Sequence, residues 1–288
     1  MINKGIILAG GTGSRLSPVT KATNKQLLPL YDKPMIYYPL SILMLAKIKD
    51  ILIITDKQNK KNFYNLFNNG KDLGLKINYE EQKKPNGLPE AFILGEKFIN
   101  NNNVALILGD NFFYGQGFTK KLSSHKKLNR GAKIFLYQVK NPEDYGTANI
   151  SKGKIKKIEE KPKNPKSNYA ITGLYFFDKN VVKYTKTLKP SKRKELEIVD
   201  LLNLYQKKKK LFFEFMGRGS AWLDTGSPRN LLSTSEFIST IEERQGLKIG
   251  CLEEIALSNN WIRKKDIMKR INYYGNCEYS KYLKKLIS

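Results

Sequence analysis

Histidine and cysteine are nearly missing from this chain. One imidazole, His125, in 288 residues argues against a zinc site built on histidines and against a Ser-His-Asp triad. The polar run around it, residues 123–127, is expected at the surface. Two cysteines, Cys251 and Cys277, make neither a C-x-x-C pair nor a disulfide framework, which fits a reducing, cytoplasmic setting. Apolar runs of the eighteen or more residues that a membrane helix needs are absent, and the first apolar run is too short for a secretion signal. No membrane partner is expected.

Acidic residues are scarce as well. Lys and Arg number 52 against 26 Asp and Glu, a formal charge of +26. Lysine dominates that excess and asparagine accompanies it, as in residues 100–103, so the charge reads as a bias of the whole composition. The one long basic run, residues 207–210, has the setting of an exposed connection between a helix and a strand. Helix-turn-helix, zinc-finger and RNA-binding signatures are lacking. The reading is no nucleic-acid partner, with a field that speeds encounter with anionic substrates.

What is present is an alternation. Strand-type runs at residues 5–9, 50–55, 76–80, 104–108 and 133–139 are separated by helix-type patterns at 35–46, 58–68, 88–100 and 119–128. Pro89 falls in the first turn of the third helix, where its missing N–H is harmless. Such alternation predicts βαβ units and a Rossmann-like three-layer α/β/α fold with a mostly parallel central sheet. Beyond residue 146 the strand-like pieces shorten (154–159, 170–177, 211–216), with a helix at 196–207. From Pro228 the pattern is helical. The chain reads as one continuous unit: a catalytic domain over 1–240 and a helical C-terminal extension, 241–288, packed on it.

Four segments carry candidate chemistry. The first apolar run ends in Gly10-Gly11-Thr12-Gly13-Ser14-Arg15. Glycines let a backbone approach a phosphate with its N–H groups turned inward, and Arg15 adds a permanent cation. No G-K-[ST] follows, so this is no Walker loop, and Leu16 stands where a dinucleotide fingerprint has its third glycine. Lys25 and Gln26 follow closely. Asp110 ends the apolar run at 104–108, where α/β sheets bind ligands and a carboxylate can hold Mg²⁺ against phosphates; it could equally cap the next turn. Asp224, in Ala221-Trp222-Leu223-Asp224-Thr225-Gly226, is either a second metal ligand or an Asx-turn residue. Glu159-Glu160-Lys161-Pro162 is a strand end at a proline turn, or a surface charge cluster.

Taken together, these segments resemble bacterial glucose-1-phosphate thymidylyltransferases of the sugar-phosphate nucleotidyltransferase superfamily. The likeness rests on Gly5 to Leu16, Lys25-Gln26-Leu27-Leu28-Pro29, Tyr31 to Leu40, Leu108-Gly109-Asp110-Asn111, Glu159 to Pro162, Thr172-Gly173-Leu174-Tyr175-Phe176, Glu195-Leu196-Glu197-Ile198, Ala221 to Gly226 and Ile241 to Lys248. It spans about residues 3–257. It implies transfer of a thymidylyl group from dTTP to glucose 1-phosphate, giving dTDP-glucose and pyrophosphate with Mg²⁺, the first step towards dTDP-L-rhamnose and related deoxysugars. By position it implies Arg15, Lys25 and Lys161 as catalytic residues, and Asp110 and Asp224 as Mg²⁺ ligands. Leu8, Gly10, Gly11, Thr12 and Gly13 would meet the nucleotide, and Gln26, Gln82, Pro85 and Gly87 its base. Asn111, Gly146, Glu160, Thr172, Tyr175 and Arg193 would serve the sugar or ribose side, Arg193 through the sugar's phosphate. It also implies a homotetramer with a feedback site for dTDP-L-rhamnose around Tyr114, Gly115, Gly217, Arg218, Glu254 and Ile255. Three departures stand out. Asn86-Gly87-Leu88-Pro89-Glu90-Ala91 replaces the frequent Asp-Gly-Leu-Ala-Gln-Ala, Thr147-Ala148-Asn149 replaces Val-Val-Glu, and Ser220 stands where tyrosine is common.

Overall fold

The computed structural model describes residues 2–123, 128 and 130–288. His125 and part of the helix expected at 119–128 lie outside them. In chain order the first half comprises β1 (Lys4–Leu8), the two-residue strands β2 (Pro29–Leu30) and β3 (Lys33–Pro34), α1 (Tyr37–Leu45), β4 (Asp50–Thr55), α2 (Lys57–Phe67), β5 (Lys76–Glu81), α3 (Glu90–Leu94), α4 (Glu96–Ile99), β6 (Val104–Leu108), β7 (Asn111–Gly115) and α5 (Phe118–Leu122). The second half holds β8 (Ala132–Gln138), β9 (Gly146–Ser151), β10 (Lys154–Glu160), β11 (Tyr169–Phe177), α6 (Val181–Thr185), α7 (Ile198–Lys207), β12 (Leu211–Phe215), β13 (Ser220–Asp224), α8 (Pro228–Gln245), α9 (Leu252–Ser258), α10 (Lys264–Tyr274) and α11 (Glu278–Ile287).

Strands β5, β4, β1 and β6 lie side by side and parallel, as the βαβ pattern requires. Strand β11 then joins β6 antiparallel and carries β8 and β9 beside it, with β12 parallel to β8. Strands β1, β4 and β6 have both faces covered. Ile7, Ile53 and Ile107 point into the core beneath α1 and the C-terminal helices, while Ile6, Leu52, Ile54 and Leu106 point into the core beneath α3 and α7. Burial of both faces explains why these strands read as unbroken apolar runs.

The helix expected at 88–100 is broken. Gly95 separates α3 from α4, and a Cβ there would sit 3.0 Å from Ile6 Cδ1 and 2.9 Å from the Ala91 carbonyl oxygen. The missing side chain lets this segment press against β1. The lysine run at 207–210 does connect α7 to β12, with Lys207, Lys208 and Lys209 exposed. Helix α8 crosses residue 240 without interruption. Beyond it, Glu253, fully buried, accepts hydrogen bonds from Arg270 Nε (3.1 Å), the Tyr274 hydroxyl (2.8 Å) and the Tyr279 hydroxyl (2.6 Å). One carboxylate thereby ties α9, α10 and α11 together. Among the described residues, no helix is long and apolar enough to cross a membrane.

Candidate active site

The ends of β1, β4 and β6 open onto the glycine loop. Gly13 takes a left-handed φ of 62°, and a Cβ on it would meet Thr20 Cγ2 at 2.8 Å, so this turn requires glycine. Asn24, which the sequence reading passed over, fixes the loop's base. Its amide donates to the Ala9 carbonyl (3.0 Å), and its Oδ1 accepts from the Gln26 N–H (2.9 Å). It thereby caps the short turn that presents Lys25. An Asn ahead of a helical turn is the signal that could have found it.

Strands β7 and β13 pair antiparallel, with Asp224 opposite Asn111. That register brings Asp224 beside Asp110 from more than a hundred residues away. The Thr225 hydroxyl donates to the Asp110 carbonyl (2.7 Å) and locks the junction. Lys25 forms an ion pair with Asp110, and Asn111 Nδ2 donates to the same carboxylate (3.1 Å). Arg15 reaches across the loop, so that a Cβ on Gly226 would lie 2.6 Å from Arg15 Nη2 and 2.9 Å from Asp224 Oδ1. Burial pushes the Asp224 pKa up, and the charge of Asp110 adds to the rise; Lys25 and Arg15 oppose it. A buried carboxylate raised by a second carboxylate suits a divalent cation, which would relieve both effects. Two carboxylates with phosphate oxygens to complete the shell is also the donor set that Mg²⁺ prefers.

A cavity of about 460 Å³ spreads from these groups. Gly11, Arg15, Asp110, Asn111 and Asp224 line one side, and Gly146, Glu160, Lys161 and Tyr175 the other. Lys161 is held by its backbone N–H on the Tyr145 carbonyl (3.1 Å). Burial raises the Glu160 pKa, Glu197 raises it further, and Arg193 lowers it. Arg193 itself pairs with Glu197 at 2.8 Å and comes within 3.6 Å of Glu160. Of the acidic pair expected at this strand end, Glu159 does meet Lys157 on the surface while Glu160 faces the cavity. Asp144, Tyr145, Glu195 and Trp222 also line it and were not foreseen. Trp222 Nε1 donates to Asn111 Oδ1 (2.6 Å), which also accepts from the Gly173 N–H (3.1 Å).

Of the remaining expected residues, Gln26 and Gln82 lie at the glycine loop. Gln26 packs its Cγ under Gly109, whose N–H donates to the Leu8 carbonyl (2.9 Å). Gln82 lies against Gly10, where a Cβ would come 2.3 Å from Gln82 Oε1. Gly87 has a φ of 103° and faces the Leu196 carbonyl, which a Cβ would meet at 2.1 Å. Thr12 and Pro85 are exposed on the rim. Three buried polar atoms have no protein partner among the described residues: Gln26 Oε1 and Thr172 Oγ1 here, and Thr185 Oγ1 in α6. Buried polar atoms are normally satisfied, so the first two suit a bound polar molecule.

A separate cavity of about 600 Å³ lies between α1, β7, α9 and the turn after α8. Tyr114, Gly115, Glu254 and Ile255 line it, but Gly217 and Arg218 do not.

A model of the nucleotidyl transferase family matches residues 4–241. Over 285 residues, 99% of each chain, the sequence is 50% identical to a glucose-1-phosphate thymidylyltransferase of Neisseria gonorrhoeae. A crystal structure from Bacillus anthracis, assigned as a glucose-1-phosphate thymidylyltransferase in complex with a sucrose, has a TM-score of 0.76 at 43% identity, over 81% of this chain and 94% of that one. A UDP-glucose pyrophosphorylase complexed with UDP-glucose has a TM-score of 0.74 at 27% identity, over 84% of this chain and all of that one. Glycine loop, paired carboxylates and flanking cations thus sit on a shared scaffold, and the chain belongs to the nucleotidyl transferase family.

Proposed function

We propose that this enzyme transfers a thymidylyl group from dTTP to α-D-glucose 1-phosphate. The observation that carries the reading is the convergence of Arg15, Asp110 and Asp224 on one wall of a cavity whose other wall holds Glu160 and Lys161. An oxygen of the sugar phosphate attacks the α-phosphorus. A P–O bond forms as the bond to the bridging oxygen of the β-phosphate breaks, and pyrophosphate leaves with that electron pair. The nucleophile needs no general base, because a phosphate monoester is already largely dianionic near pH 7, its second pKa being about 6. The work left is to align two polyanions and neutralise their charge. Arg15, packed flat on Gly226, faces the α-phosphate and the departing pyrophosphate. Lys25 holds Asp110 in place and assists with the same phosphates. Lys161 and Arg193 receive the sugar phosphate, and Glu160 binds sugar hydroxyls. Mg²⁺ held by Asp110 and Asp224 would supply further charge neutralisation on the triphosphate. The relatives' names and the near-complete coverage of the first of them support dTTP and glucose 1-phosphate as the substrates.

The test is a matrix of nucleoside triphosphates against hexose 1-phosphates with Mg²⁺, read as pyrophosphate release. Turnover is expected with dTTP and glucose 1-phosphate; none with any triphosphate overturns the reading, and a preference for UTP converts it to uridylyl transfer. The cavity of about 600 Å³ is our candidate for feedback by a nucleotide sugar such as dTDP-L-rhamnose. Inhibition by that compound that Glu254→Ala abolishes supports it, and sedimentation at four times the chain mass supports a homotetramer. A cytoplasmic location accords with the two cysteines, both free thiols here.

A further inference from the structure

Glu90, the first residue of α3, accepts three hydrogen bonds from the loop that precedes it. Gln82 Nε2 donates to Oε2 at 2.7 Å, Asn86 Nδ2 donates to Oε1 at 2.7 Å, and the Asn86 backbone N–H donates to Oε2 at 3.3 Å. A glutamine amide can ordinarily face a neighbour with either end. An ionised carboxylate only accepts, so it admits the NH₂ end alone. Turned over, the Gln82 side chain would set an oxygen against a carboxylate oxygen at hydrogen-bond distance. Gln82 is buried, and its backbone N–H is held by the Thr55 carbonyl at 2.7 Å, so the side chain has no other way to escape that repulsion. Its Oε1 is therefore fixed against Gly10, at the mouth of the glycine loop, and Nε2 keeps a second hydrogen to donate.

We propose that Glu90, where the resembled family frequently has glutamine, is a positioning residue that sharpens base selectivity in this chain, by locking Gln82 with its oxygen toward the base. The inference rests on the reading above that the nucleotide base lies beside Gln82. The locked amide offers an acceptor and a donor side by side. This pattern complements the imide edge of thymine or uracil, where N3–H donates and O4 accepts. Cytosine carries the reverse pattern, an accepting N3 and a donating amino group, and needs the amide turned over. Glu90 thus acts by forbidding one of two amide orientations, which is discrimination by repulsion. Asn86 holds the other oxygen of Glu90 with its side chain, and its backbone carbonyl accepts from the Leu196 N–H at 2.8 Å, so Glu90 and Leu196 brace the loop from its two sides.

Glu90→Gln keeps size and shape but lets residue 90 donate or accept, so either orientation of Gln82 is satisfied. The measurement is kcat/KM with dTTP and with dCTP, for the wild type, Glu90→Gln and Asn86→Ala, with melting temperature as the folding control. In Glu90→Gln the dTTP-to-dCTP ratio is expected to fall by about tenfold, the worth of one hydrogen bond gained or lost. The change should appear in the KM for the triphosphate, with the KM for glucose 1-phosphate unmoved. Asn86→Ala removes only the side-chain bond to Glu90 Oε1, leaves Gln82 on Oε2 and the backbone bond to Leu196 in place, and should weaken both nucleotides together. An unchanged ratio in Glu90→Gln, or an equal ratio shift in Asn86→Ala, overturns the proposal. Absence of wild-type turnover with dTTP would count against the catalytic reading instead. The ratio of equilibrium dissociation constants for dTTP and dCTP then reads Glu90 directly, with the same two outcomes.

Discussion

Arg15 owes its position to a residue with no side chain. Its guanidinium lies where a Cβ on Gly226 would come within 2.6 Å, so Gly226→Ala should displace it as surely as Arg15→Ala removes it. Loss of one preorganised charge-stabilising donor typically costs about 2.7–4 kcal/mol of transition-state stabilisation. Arg15→Ala should therefore lower kcat/KM by roughly 10²–10³ with the melting temperature little changed, because Arg15 is an exposed side chain in the fold. Glu160 gives a pH prediction. Burial and the Glu197 charge hold its pKa above the usual glutamate value of 4.5. In the window between 4.5 and that raised value the folded protein binds more protons at this site than the unfolded chain. Stability therefore falls as pH rises through the window, and Glu160→Gln should flatten that slope in denaturant titrations at several pH values. If the ionised carboxylate binds sugar hydroxyls, the KM for glucose 1-phosphate should climb as pH drops through the same window, and the Gln variant should lack that climb.

Among the elements, β7 and β13 did what the central strands could not. Strands β1, β4 and β6 were legible in the sequence because both their faces are covered, so each is a run of apolar residues. Asp110 was legible for the same reason, as the first carboxylate after such a run. Strands β7 and β13 were not. Each has five residues, as β1 and β6 do, but begins and ends on polar residues or glycine (Asn111 and Gly115, Ser220 and Asp224) and pairs with a partner far along the chain. Yet their register turns Asp224 from a turn residue into the neighbour of Asp110. The wall of Asp144, Tyr145 and Trp222 escaped for the same reason, since it is assembled only by tertiary packing. A buried charge network was equally silent. Lys33 pairs with Asp32 and with Glu242 (3.2 Å), and Lys248 pairs with Asp32 and with Glu242 (3.0 Å). Glu242 also accepts from the Ile249 N–H (2.8 Å), so one carboxylate joins the β2–β3 hairpin to the turn that borders the larger cavity. Glu242→Ala leaves buried Lys33 and Lys248 to share Asp32 and should cost at most roughly 3 kcal/mol in a urea titration. Glu242→Gln keeps the backbone bond and should cost less.

For the whole molecule, the charge of +26 acts in two directions that salt can separate. Net charge of one sign repels itself and opposes the compact state, while it also draws polyanionic substrates toward the site. Both effects are screened once the Debye length falls to about 10 Å, near 0.1 M ionic strength. Raising sodium chloride from about 0.02 to 0.2 M should therefore raise the thermal midpoint and, over the same range, lower kcat/KM for the triphosphate. The fall should lie in kcat/KM rather than in kcat, because screening slows encounter and leaves the bound arrangement of Arg15, Lys25 and Lys161 intact. A charge that mattered only locally would leave the midpoint flat, whereas one that worked only through specific pairs such as Lys33 with Glu242 would make salt destabilising. Measuring midpoint and kcat/KM in the same buffers decides between these cases, and opposite signs are the expected result.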